Sequence, residues 1–188
     1  MGALPLDTNM RALLQGCCFV GSYEAWERGR RDLGRYVIGA RSVLDLGCAN
    51  GFLLRCLMEW TKSAFVPFGV DVIANRIEAA RALFPEQAEN FSCADFADLA
   101  WTARAYDVVM IPWFEWMRSG SFLARMSEYL RRSPETTALF TLYDGEMDLW
   151  DRMAAACRTH FGDIEPSTRV GDVLAVVCAG RSPDRVVA

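Results

Sequence analysis

The sequence predicts an α/β domain built on a mostly parallel sheet with helices on both faces. Three observations carry that reading. Apolar runs of strand length alternate with helix-period segments along most of the 188 residues. A glycine-framed turn, Gly47-Cys48-Ala49-Asn50-Gly51, joins the first strand to the helix after it. Asp71, twenty residues past Gly51, ends the next apolar run. Strands alternating with helices of this length form βαβ units, which pair in parallel through right-handed crossovers.

Taken in order, residues 1–18 show no clear period and are expected to be mobile. Residues 21–36 read as helical, with Tyr23, Trp26, Leu33, Tyr36 and the adjoining Val37 at near-helical spacing and Arg and Glu between them. Strand-like runs follow at 42–47, 65–71, 89–93, 106–111, 137–143 and 172–179. Helical patterns fill the gaps at 51–61, 74–84, 118–132 and 146–160, with a short one near 95–100. Residues 163–169 supply a further candidate strand, paired with 172–179 through Val170-Gly171. The domain reading is an N-terminal helical segment or lid over 1–40, a core over 41–180 and a frayed tail over 181–188. No repeat or low-complexity tract interrupts it.

Composition limits the function classes. A hydrophobic fraction of 52% with 23% charged residues is near the ordinary globular range. No apolar run approaches the ~20 residues of a membrane span, and no basic segment with an apolar signal core opens the chain. Seven cysteines form neither a CxxC pair nor a Cys/His metal spacing, so no metal site is expected. The neighbours Cys17 and Cys18 do not readily bridge, and Cys48, Cys56, Cys93, Cys157 and Cys178 lie mostly in apolar settings. They read as reduced thiols of a cytoplasmic protein. A net charge of −4 and a pI near 5.1 argue against a large nucleic-acid footprint.

The turn carries the chemistry. Gly47 and Gly51 allow a tight bend and a close approach to a ligand. The helix that follows offers unpaired N–H groups, and a carboxylate some twenty residues on suits ribose hydroxyls. A dinucleotide fingerprint needs glycines at its first, third and sixth positions. Counted from Gly47, this chain has Ala49 and Phe52 at the other two. Asp45 beside the turn would also repel a diphosphate and favours a ligand carrying positive charge.

Leu44-Asp45-Leu46-Gly47-Cys48-Ala49-Asn50-Gly51 resembles the first motif of class I S-adenosylmethionine-dependent methyltransferases. Gly69-Val70-Asp71-Val72, Cys93-Ala94-Asp95-Phe96 and Tyr106-Asp107-Val108-Val109-Met110-Ile111-Pro112 resemble the second, third and fourth. The four cover about residues 41–116 in order. The resemblance implies a Rossmann-like seven-stranded sheet with an antiparallel C-terminal strand, and S-adenosyl-L-methionine as cofactor. It implies that Asp45, Gly47, Cys48, Ala49 and Gly51 belong to the cofactor site, with Asp45 on the methionine amino group; tying down the turn is the alternative for Asp45. Asp71 takes the ribose diol beside Val72. Asp95 takes the adenine amino group between Ala94 and Phe96, and Ile111 ends the strand beside the donor methyl. The competing role for both Asp71 and Asp95 is to cap the following helix.

Ile111-Pro112-Trp113-Phe114-Glu115-Trp116 departs from the Asn/Asp-Pro-Pro-Tyr/Phe pattern of family members acting on amino groups of bases or glutamine. Trp113, Phe114 and Trp116, with Tyr23 from the lid, are candidate substrate contacts; core packing is the alternative for each. Glu115 is a candidate general base if partly buried, against a solvated helix-start acid. His160, the only histidine, is a candidate base against a capping role at a helix end. Arg30-Arg31 and Arg131-Arg132 read as solvated helix faces. Tyr143 and Asp144 end the fifth strand on the substrate side or make its turn. The expected activity is methyl transfer to an O, N or C nucleophile. A small-molecule acceptor leads, a protein acceptor stands close behind and nucleic acid stands last, with no membrane partner. The alternative is a non-catalytic S-adenosylmethionine- or S-adenosylhomocysteine-binding module or partner subunit.

Overall fold

The computed structural model describes residues 8–17, 19, 21–98, 100–143, 147–162, 168–170 and 174–180. Helix α1 (Thr8–Gly16) leads to α2 (Tyr23–Arg28), a 3-10 turn over Arg31–Leu33 and the short α3 (Gly34–Val37). Then come β1 (Ser42–Leu46), α4 (Phe52–Thr61), β2 (Val66–Asp71), α5 (Ala74–Leu83), β3 (Phe91–Cys93) and β4 (Val108–Pro112). The chain continues through α6 (Ser121–Arg132), β5 (Thr137–Tyr143), α7 (Met147–Phe161), β6 (Thr168–Val170) and β7 (Leu174–Gly180).

The sheet order is β3-β2-β1-β4-β5-β7-β6. The pairs β1–β2, β1–β4, β2–β3 and β4–β5 are parallel; β7 runs antiparallel to β5 and to β6. The chain walks outward from β1 to β3 and then resumes at β4 on the other side of β1. Strand order reverses there, and a crevice opens beyond the carboxyl ends of β1 and β4.

Side chains alternate across the sheet and build two cores. Leu44, Leu46, Val109, Ile111 and Phe140 face α6 and α7, meeting Phe122, Leu123, Met126, Met153 and Cys157. Val43, Val108, Met110 and Leu139 face the other helices, meeting Trp26, Phe52, Leu57, Ile77 and Ala80. Asp45 shares the second face by the same alternation, which turns a carboxyl toward the N-terminal helices.

Several elements depart from the pattern-based reading. Residues 8–16 form α1 rather than an aperiodic stretch, seated through the buried Leu14 and the partly buried Leu13. The helix expected over 21–36 breaks after Arg28, where the Gly29 amide donates to Ala25 O and the Arg30 amide to Glu27 O. α6 begins at Ser121, because Gly120 turns the chain at φ 86° after a 3-10 turn over Glu115–Ser119. Two 3-10 turns, Phe96–Asp98 and Ala100–Ala103, replace the short helix near 95–100. Cys93 is exposed, not apolar in setting. Among the described residues no helix is long and apolar enough to cross a membrane, and no His/Cys/Asp/Glu group could hold a metal. Asp144 and residues 181–188 lie outside the described residues, as does the side chain of Tyr143.

Candidate active site

The turn after β1 is built backbone first. Gly47, Ala49 and Gly51 all adopt positive φ, at 73°, 49° and 75°. For Ala49 that left-handed conformation costs about 1–2 kcal/mol against a right-handed one. Its amide offsets the cost by donating to Asp71 Oδ2 at 2.9 Å. The Gly47 and Cys48 amides donate to Val70 O at 2.7 and 3.1 Å, tying the turn to β2. Gly69 makes that approach possible: a Cβ there would meet Cys48 Sγ at 2.5 Å and the Phe91 ring at 2.7 Å.

Asp71 is 6% exposed. Its second oxygen, Oδ1, accepts from the Ile73 amide at 2.9 Å. Each oxygen retains a lone pair once those amides are satisfied, so the carboxylate is fixed and still able to accept from a diol. Val72 and Ile73 beside it are 61% and 36% exposed and give an apolar rim.

Asp45 is also 6% exposed, and no hydrogen-bond donor reaches its carboxyl among the described residues. Burial, then the charge of Asp71, push its pKa up to about 8, with Arg30 acting in the opposite sense. A carboxyl held this way gains strongly from any cation placed next to it. It lines a cavity of about 110 Å³ together with Arg30, Trp26, Cys17, Gly47, Cys48, Ala49 and Pro112. Typical small-molecule sites run to about 300–1,000 Å³, so this cavity has room for only one end of such a ligand.

Arg30 is the residue that sequence reasoning misplaced. It is partly buried, donates from Nη1 to Trp26 O at 3.2 Å, and its guanidinium lies over the rings of Trp26 and Phe19 at 5.1 and 5.4 Å. Arg31 is not a solvated face either, since it pairs with the buried Glu27 and lies 5.9 Å over the Trp60 ring. Asn50 fastens the N-terminal segment to the turn: Nδ2 donates to Leu13 O at 2.7 Å, while Oδ1 accepts from the Phe52 amide and the Cys17 thiol. Only the polar identity of Asn50 inside a glycine turn could have signalled that contact.

Other candidates divide. Asp95 is exposed and accepts from the Ala97 amide at 2.8 Å, so it caps its turn while keeping an open oxygen. Ala94 is partly buried and donates its amide to Asp71 O at 3.0 Å. Phe96 does not flank open space; it is 8% exposed inside the α6–α7 core. Ile111 is wholly buried in the same core, and the next residue, Pro112, lines the cavity instead. Trp113 is buried edge-on against Phe140 and is not a substrate wall. Tyr23 is likewise core, 2% exposed against Trp26 and Phe52, with burial raising its pKa to about 12. Phe114 and Trp116 remain exposed. Glu115 is exposed, and the Arg118 hydrogen bond, reinforced by Arg152, holds its pKa below the usual range, the opposite of a buried base. His160 lies beside the Gly120 turn and is absent from the cavity wall.

Residues 43–133 match the family described as methyltransferase domain. The matched segment, a little under half of the chain, is similar to methyltransferase domains. It holds the turn, Asp71, Asp95 and the segment after β4. Solved structures share the fold at low identity. A protein from Pyrococcus horikoshii OT3 is 16% identical with a TM-score of 0.63, over 95% of this chain and 100% of that one. Magnesium protoporphyrin IX methyltransferase from Synechocystis PCC 6803, with bound SAM, is 14% identical with a TM-score of 0.58, over 94% and 92%. A ribosomal protein L11 methylase from Lactobacillus delbrueckii subsp. bulgaricus is 14% identical with a TM-score of 0.60, over 86% and 81%. No curated protein matches the chain.

Proposed function

We propose that the chain is a methyltransferase that binds S-adenosyl-L-methionine and transfers its methyl group to a small-molecule nucleophile, with residues 1–40 as roof and 41–180 as core. The observation that carries this reading is the buried Asp45, met by no donor among the described residues, sharing one small cavity with Arg30. A carboxyl and a guanidinium in a space of that size suit the ammonium and carboxylate of an amino-acid end.

Bound there, the cofactor supplies an activated methyl on a sulfonium. This chain's residues hold and orient it. Asp45 takes the ammonium, Arg30 the carboxylate and the Asp71 oxygens the ribose hydroxyls, while Asp95 keeps an acceptor for an adenine amino group. Trp26 and the Asn50-anchored α1 exclude water from the aminoacyl cavity. Cys48 shares that wall, and burial pushes its thiol pKa far up, so it stays neutral. With Glu115 ionised between two arginines, the acceptor brings its own nucleophile and positioning does the rest.

Calorimetry with S-adenosylhomocysteine and with 5′-methylthioadenosine, which lacks the aminoacyl end, tests the assignment. Arg30→Ala is expected to weaken the first by about tenfold or more and to leave the second unchanged. Equal loss for both ligands, or no binding of S-adenosylhomocysteine by folded wild type, overturns it. Release of S-adenosylhomocysteine with an acceptor separates transfer from the pure binding-module alternative.

A further inference from the structure

We propose that Phe19 is a positioning residue for the cofactor: with Trp26, its ring holds the Arg30 guanidinium at the aminoacyl cavity and so selects ligands whose amino-acid end carries a carboxylate. This deepens the methyltransferase reading above and rests on it. Arg30 stands where the backbone does little to aim a long side chain. α2 has ended at Arg28, and Arg30 adopts φ −133°, ψ −21° ahead of the 3-10 turn over Arg31–Leu33. An arginine free to sample rotamers gives up that freedom when it binds a carboxylate, and one held beforehand does not. A guanidinium laid over a ring face also keeps its N–H edge open, and that edge is the one a carboxylate meets.

The two rings that lie under Arg30, with centroids 5.1 and 5.4 Å from its Cζ, are both within reach of a cation–π contact. They are held by different parts of the chain. Trp26 is 1% exposed and locked against Phe52 and Trp60, at 4.9 and 5.8 Å. Phe19 is partly buried and belongs to the segment after α1. Asn50 fastens that segment at both ends of its side chain, through Leu13 O and the Cys17 thiol. Two residues past Cys17 the Phe19 ring lies against Gly21, where a Cβ would come within 2.7 Å of it. Trp26 and Arg30 line the aminoacyl cavity and Phe19 does not, so Phe19 acts on a ligand through Arg30. The N-terminal segment thereby takes part in choosing the ligand as well as covering it.

The test is calorimetric titration with S-adenosylhomocysteine and with S-adenosyl-3-thiopropylamine, its decarboxylated counterpart, which keeps the ammonium and the ribose. Phe19→Leu leaves an apolar side chain in place and removes the π-face. It is expected to weaken S-adenosylhomocysteine by about fivefold and to leave the thiopropylamine, which also reports folding, unchanged. Phe19→Tyr should bind both ligands as wild type does. In an Arg30→Ala background, Phe19→Leu should weaken S-adenosylhomocysteine no further. Equal loss for both ligands in Phe19→Leu overturns the proposal, because it gives Phe19 a packing role alone. So does unchanged affinity for S-adenosylhomocysteine, or a loss that persists in full without Arg30. If Arg30→Ala alone binds S-adenosylhomocysteine as wild type does, the carboxylate assignment itself fails and takes this inference with it.

Discussion

The Ala49 amide donates to Asp71 Oδ2 at 2.9 Å, so the carboxylate proposed for the ribose also holds a non-glycine residue in a left-handed turn. The proposed cofactor site and the strained backbone share one side chain. Asp71→Ala is expected to abolish measurable S-adenosylhomocysteine binding and to lower Tm. Ala49→Gly relieves the positive φ and should be neutral to about 1 kcal/mol stabilising by chemical denaturation. Marked destabilisation by Ala49→Gly would show that the turn is not strained there.

Asp45 predicts opposite pH trends for stability and for binding. Its pKa is about 8 in the ligand-free fold, against 3.8 for an unperturbed aspartate. Between those values the folded state binds one proton more than the unfolded chain, so stability from this group is full below pH ~4 and is lost as pH rises through about 8. Asp45→Asn should therefore stabilise the ligand-free protein relative to wild type at pH 8 and lose that advantage near pH 4. Binding needs the ionised form, so wild-type affinity for S-adenosylhomocysteine should rise from pH 6 to 8 with proton release, seen by calorimetry in buffers of different ionisation enthalpy. Flat affinity across that range would contradict the assignment.

Asn50 predicts coupling between α1 and the turn. Asn50→Ala removes the donor to Leu13 O and the acceptor for the Phe52 amide, with the side chain 2% exposed. A loss of about 1–3 kcal/mol is expected. Hydrogen exchange over residues 8–17 should rise, and S-adenosylhomocysteine should bind more weakly. Unchanged exchange in α1 would mean that Leu13 and Leu14 alone seat the helix.

Gly69 predicts a non-additive pair. Gly69→Ala places a Cβ against Cys48 Sγ and Phe91, which should cost about 1–3 kcal/mol and impair the cofactor turn. Adding Cys48→Ala should recover part of that loss, since one of the two clashes disappears. Full additivity in urea unfolding would show that the two sites do not meet.

Much of the site was legible because it is local. Asp45, the two glycines and Asp71 are set by strand ends and turn conformations that short stretches of sequence determine. Phe96 and Phe114 show where that stops. Both are aromatic residues just past a strand end, and neither sequence context distinguishes them. The 113–120 turn lies over Phe96, burying it and leaving Phe114 outside. Glu115 and Arg152 are another such case, joined by an ion pair across 37 positions.

By itself the sequence determined the alternation of strands and helices, the glycine turn and the spacing of its acids, because each follows from backbone sterics and hydrophobic period over a few residues. Only the tertiary structure decided that Arg30 lines the same cavity as Asp45. Helical period places it on a polar face, but α2 ends at Arg28, and the chain past Gly29 carries Arg30 to the cavity wall. A charge becomes a ligand contact only when distant segments exclude water around it, and that exclusion is a property of packing.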